Sequence, residues 1–396
     1  MICVAGKNSI AIRTCQYILK NFTNILLVGI TNQTDTGQNG FEPSFKNYLK
    51  LNNIDEVTLN FVYEIEDLVF ISLEFDKIIR VDKFKSKRLF NVHFSFLPEF
   101  KGMYTSALPI LYGKRYTGVT LHIIDKGIDT GDIIAQEKII IEICDTAKTL
   151  YGKYLSNGTK LIISHLESLI TNSFTTKPQD SLNSTYYSKR AIDYTNLNLN
   201  FNKTAQQIID QVRAFTFREY QLPKAFDINI SAALISKNRS IEPPGKIVER
   251  DSNKLSVASI DFDVVLYKDY LEEFVDACAE GDLNKVVKIL PMLTDINEKN
   301  RRGWNALIVS VYNNKIEIVN FLLLNNANIN VVNNNGTTIL MYAKDAALRS
   351  KSTEIIELVV RHGARINKKD FFGKTVLDYA LNQDENIYNF LKKLYD

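Results

Sequence analysis

The sequence predicts an α/β protein: a mostly parallel sheet at the N-terminal end, then a small β-rich module, then an all-α repeat array. Three observations predict it. Apolar, β-branched runs alternate with helical patterns over residues 1–175. Short β-like pieces, punctuated by Pro243-Pro244-Gly245, follow over 176–268. A Gly-x-Thr-x-Leu-like motif then recurs within 269–396. The 396 residues suit two or three domains, and a hydrophobic content of 45% suits ordinary cores.

In the first stretch, residues 2–5, 25–30, 68–72, 89–94, 119–124 and 133–141 read as strands. Ala11, Cys15, Ile18, Leu19 and Phe22 fall on one helical face between the first two. Leu150, Tyr154, Leu155, Leu161, Ile162, Leu166 and Leu169 mark a long closing helix. In the second stretch a helix is expected around Ala205–Phe215. Strand-like pieces are expected at 224–230, 232–235, 245–249, 254–259 and 263–267. The third stretch repeats Gly303-Trp304-Asn305-Ala306-Leu307, Gly336-Thr337-Thr338-Ile339-Leu340 and Gly373-Lys374-Thr375-Val376-Leu377. The glycines stand 33 and then 37 residues apart, which places a four-residue insertion near 347–353.

Bulk properties narrow the functional classes. The balance of 48 Lys and Arg against 45 Asp and Glu, with no long basic run, gives no footprint for broad nucleic-acid binding. Cys3, Cys15, Cys144 and Cys278 lack metal-ligand spacing and read as reduced thiols, so no metal is expected. The N-terminus lacks a basic start and a long apolar stretch, and reads as a first strand rather than a signal peptide. No run is long enough to span a bilayer. A soluble cytoplasmic protein is expected.

The chemistry concentrates in two runs. One is Asn91-Val92-His93-Phe94-Ser95-Phe96-Leu97-Pro98 with Gly102, and the other spans Leu121 to Asp132 and contains Asp125, Gly127 and Asp129-Thr130-Gly131-Asp132. Asn91 and His93 are two apart on a strand, so their side chains face one side. An amide donor, an imidazole and a carboxylate suffice to move an acyl group onto an amine. The amide donates to the developing oxyanion, the imidazole takes the amine's proton, and Asp129 orients the imidazole. These runs resemble the folate-dependent formyltransferases, which carry N-x-H-x-S-x-L-P and D-x-G-x-D-T-G-D in this order. The resemblance implies a Rossmann-like formyltransferase domain with Asn91, His93 and Asp129 as catalytic residues. It also implies N10-formyltetrahydrofolate as donor. Its pterin would be held largely by main chain at Ser72, Leu73, Glu74 and Phe75, and at Ile124, Asp125 and Gly127, with Asp132 close by.

The acceptor amine is less plainly written. A methionyl-tRNA formyltransferase should show a clearly basic second domain. A glycinamide ribonucleotide enzyme should show a glycine-rich first loop, and here that loop is Gly6-Lys7-Asn8-Ser9. The stretches Tyr186-Tyr187-Ser188-Lys189-Arg190 and Arg213-Ala214-Phe215-Thr216-Phe217-Arg218-Glu219-Tyr220 resemble sugar N-formyltransferases. That resemblance implies a dTDP-linked amino-dideoxy sugar, either dTDP-3-amino-3,6-dideoxyglucose or its 4-amino isomer, made for lipopolysaccharide O-antigen synthesis. Phe217 and Tyr220 offer planar faces for the base, with core or dimer contacts as the competing reading. Lys7, Asn8 and Lys77 could meet the pyrophosphate. Gly102, Met103, Tyr104, Tyr186 and Arg190 complete the expected sugar-nucleotide site. A homodimer is expected from relatives that pair.

The Gly-x-Thr units resemble ankyrin repeats, with 271–290 as a degenerate N-terminal cap. Such arrays bind proteins. Trp304, read as an exposed aromatic beside Arg301 and Arg302, could instead bind a second nucleotide sugar. A methionyl-tRNA enzyme and a non-catalytic ankyrin scaffold remain the alternative functions.

Overall fold

The apolar runs of the first 175 residues become strands β1 (Ile2–Gly6), β2 (Leu27–Thr31), β3 (Asp55–Glu56), β4 (Val69–Leu73), β5 (Arg88–His93), β6 (Lys101–Gly102), β7 (Tyr116–Ile123) and β8 (Ile133–Ile140). The computed structural model describes residues 1–381 and 383–395. Seven of these strands make one sheet, in the order β3-β2-β1-β4-β5-β7-β8. From β3 to β5 the pairing is parallel, while β7 and β8 are antiparallel. The strands β1 and β4 are buried along their whole length, which explains their unbroken apolar reading.

The interleaved helices are α1 (Asn8–Asn21), α2 (Phe45–Leu51), α3 (Leu59–Tyr63), α4 (Leu108–Leu111) and α5 (Ala147–Thr171). The helix α1 buries Ile10, Ala11, Cys15 and Ile18; Leu19, expected on that face, is 44% exposed. A reciprocal Thr146–Thr149 cap starts α5, which buries all seven of its expected apolar residues.

The next stretch holds β9 (Tyr186–Tyr187), α6 (Ala205–Phe215), β10 (Lys224–Ala225), β11 (Ile228–Ile235), β12 (Ile247–Arg250), β13 (Lys254–Val257) and β14 (Val264–Lys268). A five-stranded sheet runs β10-β11-β14-β13-β12. Ile208 and Val212 of α6 share a core with Ile230, Leu255, Val264 and Leu266. The sequence divides the chain between 230 and 232, but β11 runs straight through. The break lies instead at Phe226 and Asp227, both at positive φ. The short β9 pairs with β6, so Tyr187 meets Gly102.

Packing divides the chain into two units. The first holds Met1–Gln38, Glu42–Phe217 and Gln221–Tyr267; the second holds Asn39–Phe41, Arg218–Tyr220 and Lys268–Asp396. The helices of the second unit are α7 (Leu271–Glu280), α8 (Leu283–Ile289), α9 (Ala306–Tyr312), α10 (Ile316–Leu324), α11 (Ile339–Ser350), α12 (Glu354–Arg361), α13 (Val376–Ala380) and α14 (Glu385–Lys393). Its repeat motif has a local cause. Gly303, Gly336 and Gly373 each take φ +77°, a left-handed turn that glycine adopts without strain. Two residues on, Asn305, Thr338 and Thr375 cap α9, α11 and α13 through the side-chain oxygen. Three residues before each glycine, Asn300, Asn333 and Asp370 accept two main-chain N–H groups and fold the turn. The insertion lengthens α11 to 12 residues against 7 in α9.

Arg218 is buried within this second unit. Its guanidinium pairs with both Asp269 oxygens at 2.8 and 2.6 Å and with Glu298 at 2.8 Å. Breaking a buried pair by removing one partner leaves uncompensated charge, at a cost of about 3–5 kcal/mol. We therefore expect Arg218→Met to lower the midpoint of thermal unfolding followed by helical circular dichroism. An unchanged midpoint would count against the ion triad as a stabilising contact.

Candidate active site

The site begins with strand pairing. The strand β5 lies between β4 and β7, with Asn91 opposite Ser72 on one side and His122 on the other. Asn91 and His93 thus stand near the carboxyl end of a central strand, where a doubly wound sheet leaves its crevice. Beyond β7, the turn from Asp125 to Asp132 brings Asp129 back against both residues. Asp125 shapes that turn, accepting from Gly127 N–H at 3.0 Å and Thr130 Oγ1 at 2.6 Å. The Asp132 carbonyl closes it by accepting from Ile123 N–H at 3.0 Å. Gln179 Nε2 clamps the turn from outside, donating to the Asp129 and Gly131 carbonyls at 2.9 and 2.7 Å.

Asp129 is the hub. Its Oδ2 accepts from Gly102 N–H at 2.9 Å and lies 3.4 Å from His93 Nδ1. Its Oδ1 faces Asn91 Nδ2 at 3.4 Å and His122 Nε2 at 3.6 Å. Burial disfavours its charged form. The neighbouring His93 and the Gly102 N–H outweigh that and hold the carboxyl below the usual carboxylate range. Gly102 is required there: its φ is +89°, and a Cβ would stand 2.3 Å from the Tyr187 carbonyl oxygen.

The protons on the two histidines follow from their partners, since a carbonyl can only accept. His93 Nε2 lies 2.8 Å from the Phe100 carbonyl, so it carries a proton and leaves Nδ1, facing Asp129, to take or release one. His122 Nδ1 lies 2.8 Å from the Ile123 carbonyl, so its Nε2 accepts from Asn91 Nδ2 at 3.1 Å. The sequence offered no role for His122, yet the ring is buried and fixes the orientation of the Asn91 amide. Its partner across the strand pair was the missing signal. Both Asn91 protons point at protein groups, His122 closely and Asp129 loosely. Donation to a substrate oxygen thus draws on the 3.4 Å contact, the weaker of the two.

The remaining expected residues fall in several places. Ser72 and Leu73 are buried in β4, and the Leu73 carbonyl already accepts from Lys7 N–H at 3.2 Å. Partly buried Phe75, Ile79, Val81 and Ile124 pack on one apolar cluster. Lys7 occupies the cap position of α1, Asn8 opens that helix, and Lys77 is exposed. Met103 and Tyr186 are half-exposed, Arg190 is exposed, and the Tyr104 hydroxyl donates to the Lys189 carbonyl at 3.1 Å. Phe217 departs from expectation: it is buried, with its ring 5.6 Å from that of Tyr151, so its faces are not open to a base. Tyr220 keeps an exposed face and meets Phe41 edge-on at 5.5 Å. In the second unit Trp304 is partly buried rather than exposed, edge-on to Tyr312 and Tyr342. The cation set against this group is Arg349, 4.3 Å over Tyr312. Arg301 donates instead to the Arg218 carbonyl at 3.1 Å, and Arg302 is exposed. Among the described residues no cluster of three or more His, Cys, Asp or Glu is placed to hold a metal, and no helix is long and apolar enough to cross a membrane.

Comparison with known proteins places this geometry. Residues 65–166 match the formyl transferase family model, and residues 274–370 match a model of three ankyrin repeats. A sugar 3N-formyl transferase solved with dTDP and 5-N-formyl-THF is 42% identical, over 67% of this chain and 97% of its own, with a TM-score of 0.63. An N-formyltransferase from Helicobacter canadensis, solved with folinic acid and dTDP-3-aminofucose, is 40% identical, over 68% of this chain and 99% of its own, also with a TM-score of 0.63. The chain belongs to the sugar N-formyltransferases. It carries ankyrin repeats at its C-terminal end. A methionyl-tRNA formyltransferase of Staphylococcus aureus (strain MW2) is 31% identical over 182 residues, 45% of this chain. The chain spans only 58% of that relative's length.

The sugar N-formyltransferases are folate-dependent, and their donor is N10-formyltetrahydrofolate. The residues present fit such a group. Phe75 and Ile124, which follow β4 and β7, are apolar and only partly buried, which suits contact with a flat ring. Gln179 Oε1, beside the Asp129 turn, is buried with no hydrogen-bond partner among the described residues, and can accept from a ring N–H.

Two outcomes follow. Removing the ring that fixes Asn91, as in His122→Phe, should lower kcat about tenfold, the effect of losing one hydrogen bond. His122→Gln, which keeps an acceptor, should recover part of it; equal loss in both variants would contradict the orienting role. The depressed Asp129 pKa sets a sign for pH dependence. Its ionised form stabilises the fold fully above the unfolded value of about 3.9, and that contribution is lost only as pH falls through the lower folded value. Carboxyl-13C NMR should find its midpoint below that value, and a midpoint above it would refute the arrangement.

Proposed function

We propose that the chain transfers a formyl group from N10-formyltetrahydrofolate to the amino group of a dTDP-linked 3-amino-3,6-dideoxy sugar, using Asn91, His93 and Asp129. The meeting of these three side chains at the carboxyl end of β5 is the observation that carries the reaction type. The choice of acceptor is supported by relatives at 40 and 42% identity, one solved with dTDP-3-aminofucose and one called a sugar 3N-formyl transferase. On the same reading the product is made for lipopolysaccharide O-antigen synthesis.

The donor supplies a formyl carbonyl made electrophilic by its ring-linked nitrogen. The protein's own part is proton movement and charge placement. His93 Nδ1 takes the proton from the attacking amine and would return it to the donor nitrogen as that nitrogen's bond to the formyl carbon breaks; in between, Asp129 Oδ2, on the same side of the ring, stabilises the imidazolium. The Asn91 amide shifts its loosely held proton from Asp129 to the oxygen that gains charge, while His122 keeps the amide plane fixed. The main chain at 124–127, with Phe75, would hold the pterin. Lys7 and Lys77 would meet the pyrophosphate, and Tyr104, Tyr186 and Arg190 would border the sugar nucleotide.

For the second unit the proposed ligand is a protein or a second nucleotide sugar at Trp304. The aromatic group Trp304, Tyr312 and Tyr342 with Arg349 supports stacking of a planar base.

The acceptor is tested by incubating the enzyme with N10-formyltetrahydrofolate and a panel of amino-sugar nucleotides plus methionyl-tRNA, with mass detection of product. We expect a gain of one formyl group on the dTDP-3-amino sugar, and a fall of about a thousandfold or more for Asp129→Asn. Turnover on methionyl-tRNA alone would refute the acceptor.

A further inference from the structure

Glu74 stands out among the titratable groups that the reaction leaves unused. It follows β4 directly, at φ +59°, a left-handed conformation that is uncommon for a residue with a side chain. Its carbonyl is pinned by Asn32 Nδ2 at 2.9 Å. Its Oε2 accepts from Tyr151 Oη at 2.7 Å and Asn8 Nδ2 at 3.2 Å. Its Oε1 accepts nothing among the described residues, and the residue keeps part of its surface open to solvent.

The strand register shows where the Glu74 main chain lies. Gly6, Leu73 and Val92 pair across β1, β4 and β5. One residue further along stand Lys7, Glu74 and His93. Neighbouring strands lie about 4.8 Å apart, so the Glu74 main chain stands next to that of His93, on the side away from β7. On the His122 side the polar atoms already serve one another and Asp129. On the Glu74 side a carboxyl oxygen is free. Burial pushes the carboxyl pKa up; the Lys7 charge and the Tyr151 and Asn8 bonds oppose this, and Glu42 adds to it. A desolvated carboxyl that the fold does not fully pair is a candidate for a functional role. Tyr151 ties this group to the catalytic strand, with its ring 6.1 Å from that of Phe94.

An amino sugar whose amine sits at His93 carries hydroxyls on the ring carbons beside that amine. We propose that Glu74 Oε1 accepts the hydrogen bond of one of these adjacent hydroxyls, making Glu74 a specificity residue for a hydroxylated 3-amino sugar. The inference rests on the acceptor reading above. Tyr151 and Asn8 act as positioning residues that hold Oε2 and so aim Oε1. A site built around a substrate hydroxyl rejects the analogue without it, because its own polar group is left unpaired.

The test compares kcat/KM of the full chain on dTDP-3-amino-3,6-dideoxyhexose with that on analogues lacking the 2-hydroxyl or the 4-hydroxyl. The wild type should disfavour one analogue by about tenfold to a hundredfold, the range of a hydrogen bond to a charged group. In Glu74→Ala that ratio should collapse towards one, and Glu74→Gln should keep part of it. If Glu74→Ala loses activity equally on all three substrates, or leaves both ratios unchanged, the inference is overturned. A wild type inert on every amino-sugar nucleotide would overturn the acceptor reading itself. An active wild type with ratios insensitive to Glu74 would overturn this inference alone.

Discussion

The arrangement of the catalytic crevice depends on one carboxylate being held charged in a place that resists charge. Asp129 is largely buried, and nothing about burial favours an anion. It is tolerated because the chain aims a main-chain N–H from Gly102 and an amide from Asn91 at it, and sets the His93 imidazole, which gains positive charge when it takes a proton, beside it. These groups come from two elements, β6 and β5. Gly102 is fixed by pairing with Tyr187, Asn91 and His93 by β5, and Asp129 itself by the turn that Asp125 and Gln179 fold. The requirement to satisfy one anion thus fixes the relative positions of the run at 91–102, the turn at 125–132 and the β9 segment.

Much of this was legible in the sequence, for reasons that differ by residue. Strands such as β1 and β4 are buried on both faces, so they read as unbroken apolar runs. The repeat turns were legible because three glycines at φ +77° and three capping residues recur in register. The proposed catalytic residues stood out because Asn91 and His93 share a strand face and Asp129 sits in a turn with its own glycines.

What escaped was whatever depends on pairing between distant segments. His122 looks like any strand histidine until the antiparallel pairing sets it opposite Asn91. Phe217 looks like a free ring, and its burial against Tyr151 comes from packing alone. Arg301 and Arg302 adjoin Trp304 in sequence, whereas Arg349 reaches the aromatic group from a helix that the insertion lengthened. Glu74 was hidden twice, since its neighbours read as main-chain contributors and its left-handed backbone leaves no mark in composition.

Arg218 carries a consequence for heredity. An ankyrin array spliced onto an enzyme as a tail would keep all its structure within its own contiguous segment. Here residues 39–41 and 218–220 belong to the same unit as the repeats, and the guanidinium that neutralises Asp269 and Glu298 is encoded 51 residues before the first and 80 before the second. A fragment beginning at 268 would inherit two carboxylates without their cation. The array is therefore no longer a transplantable cassette. Recombination at the obvious boundary would yield a damaged repeat unit, so exchange of this module at that point carries a physical cost.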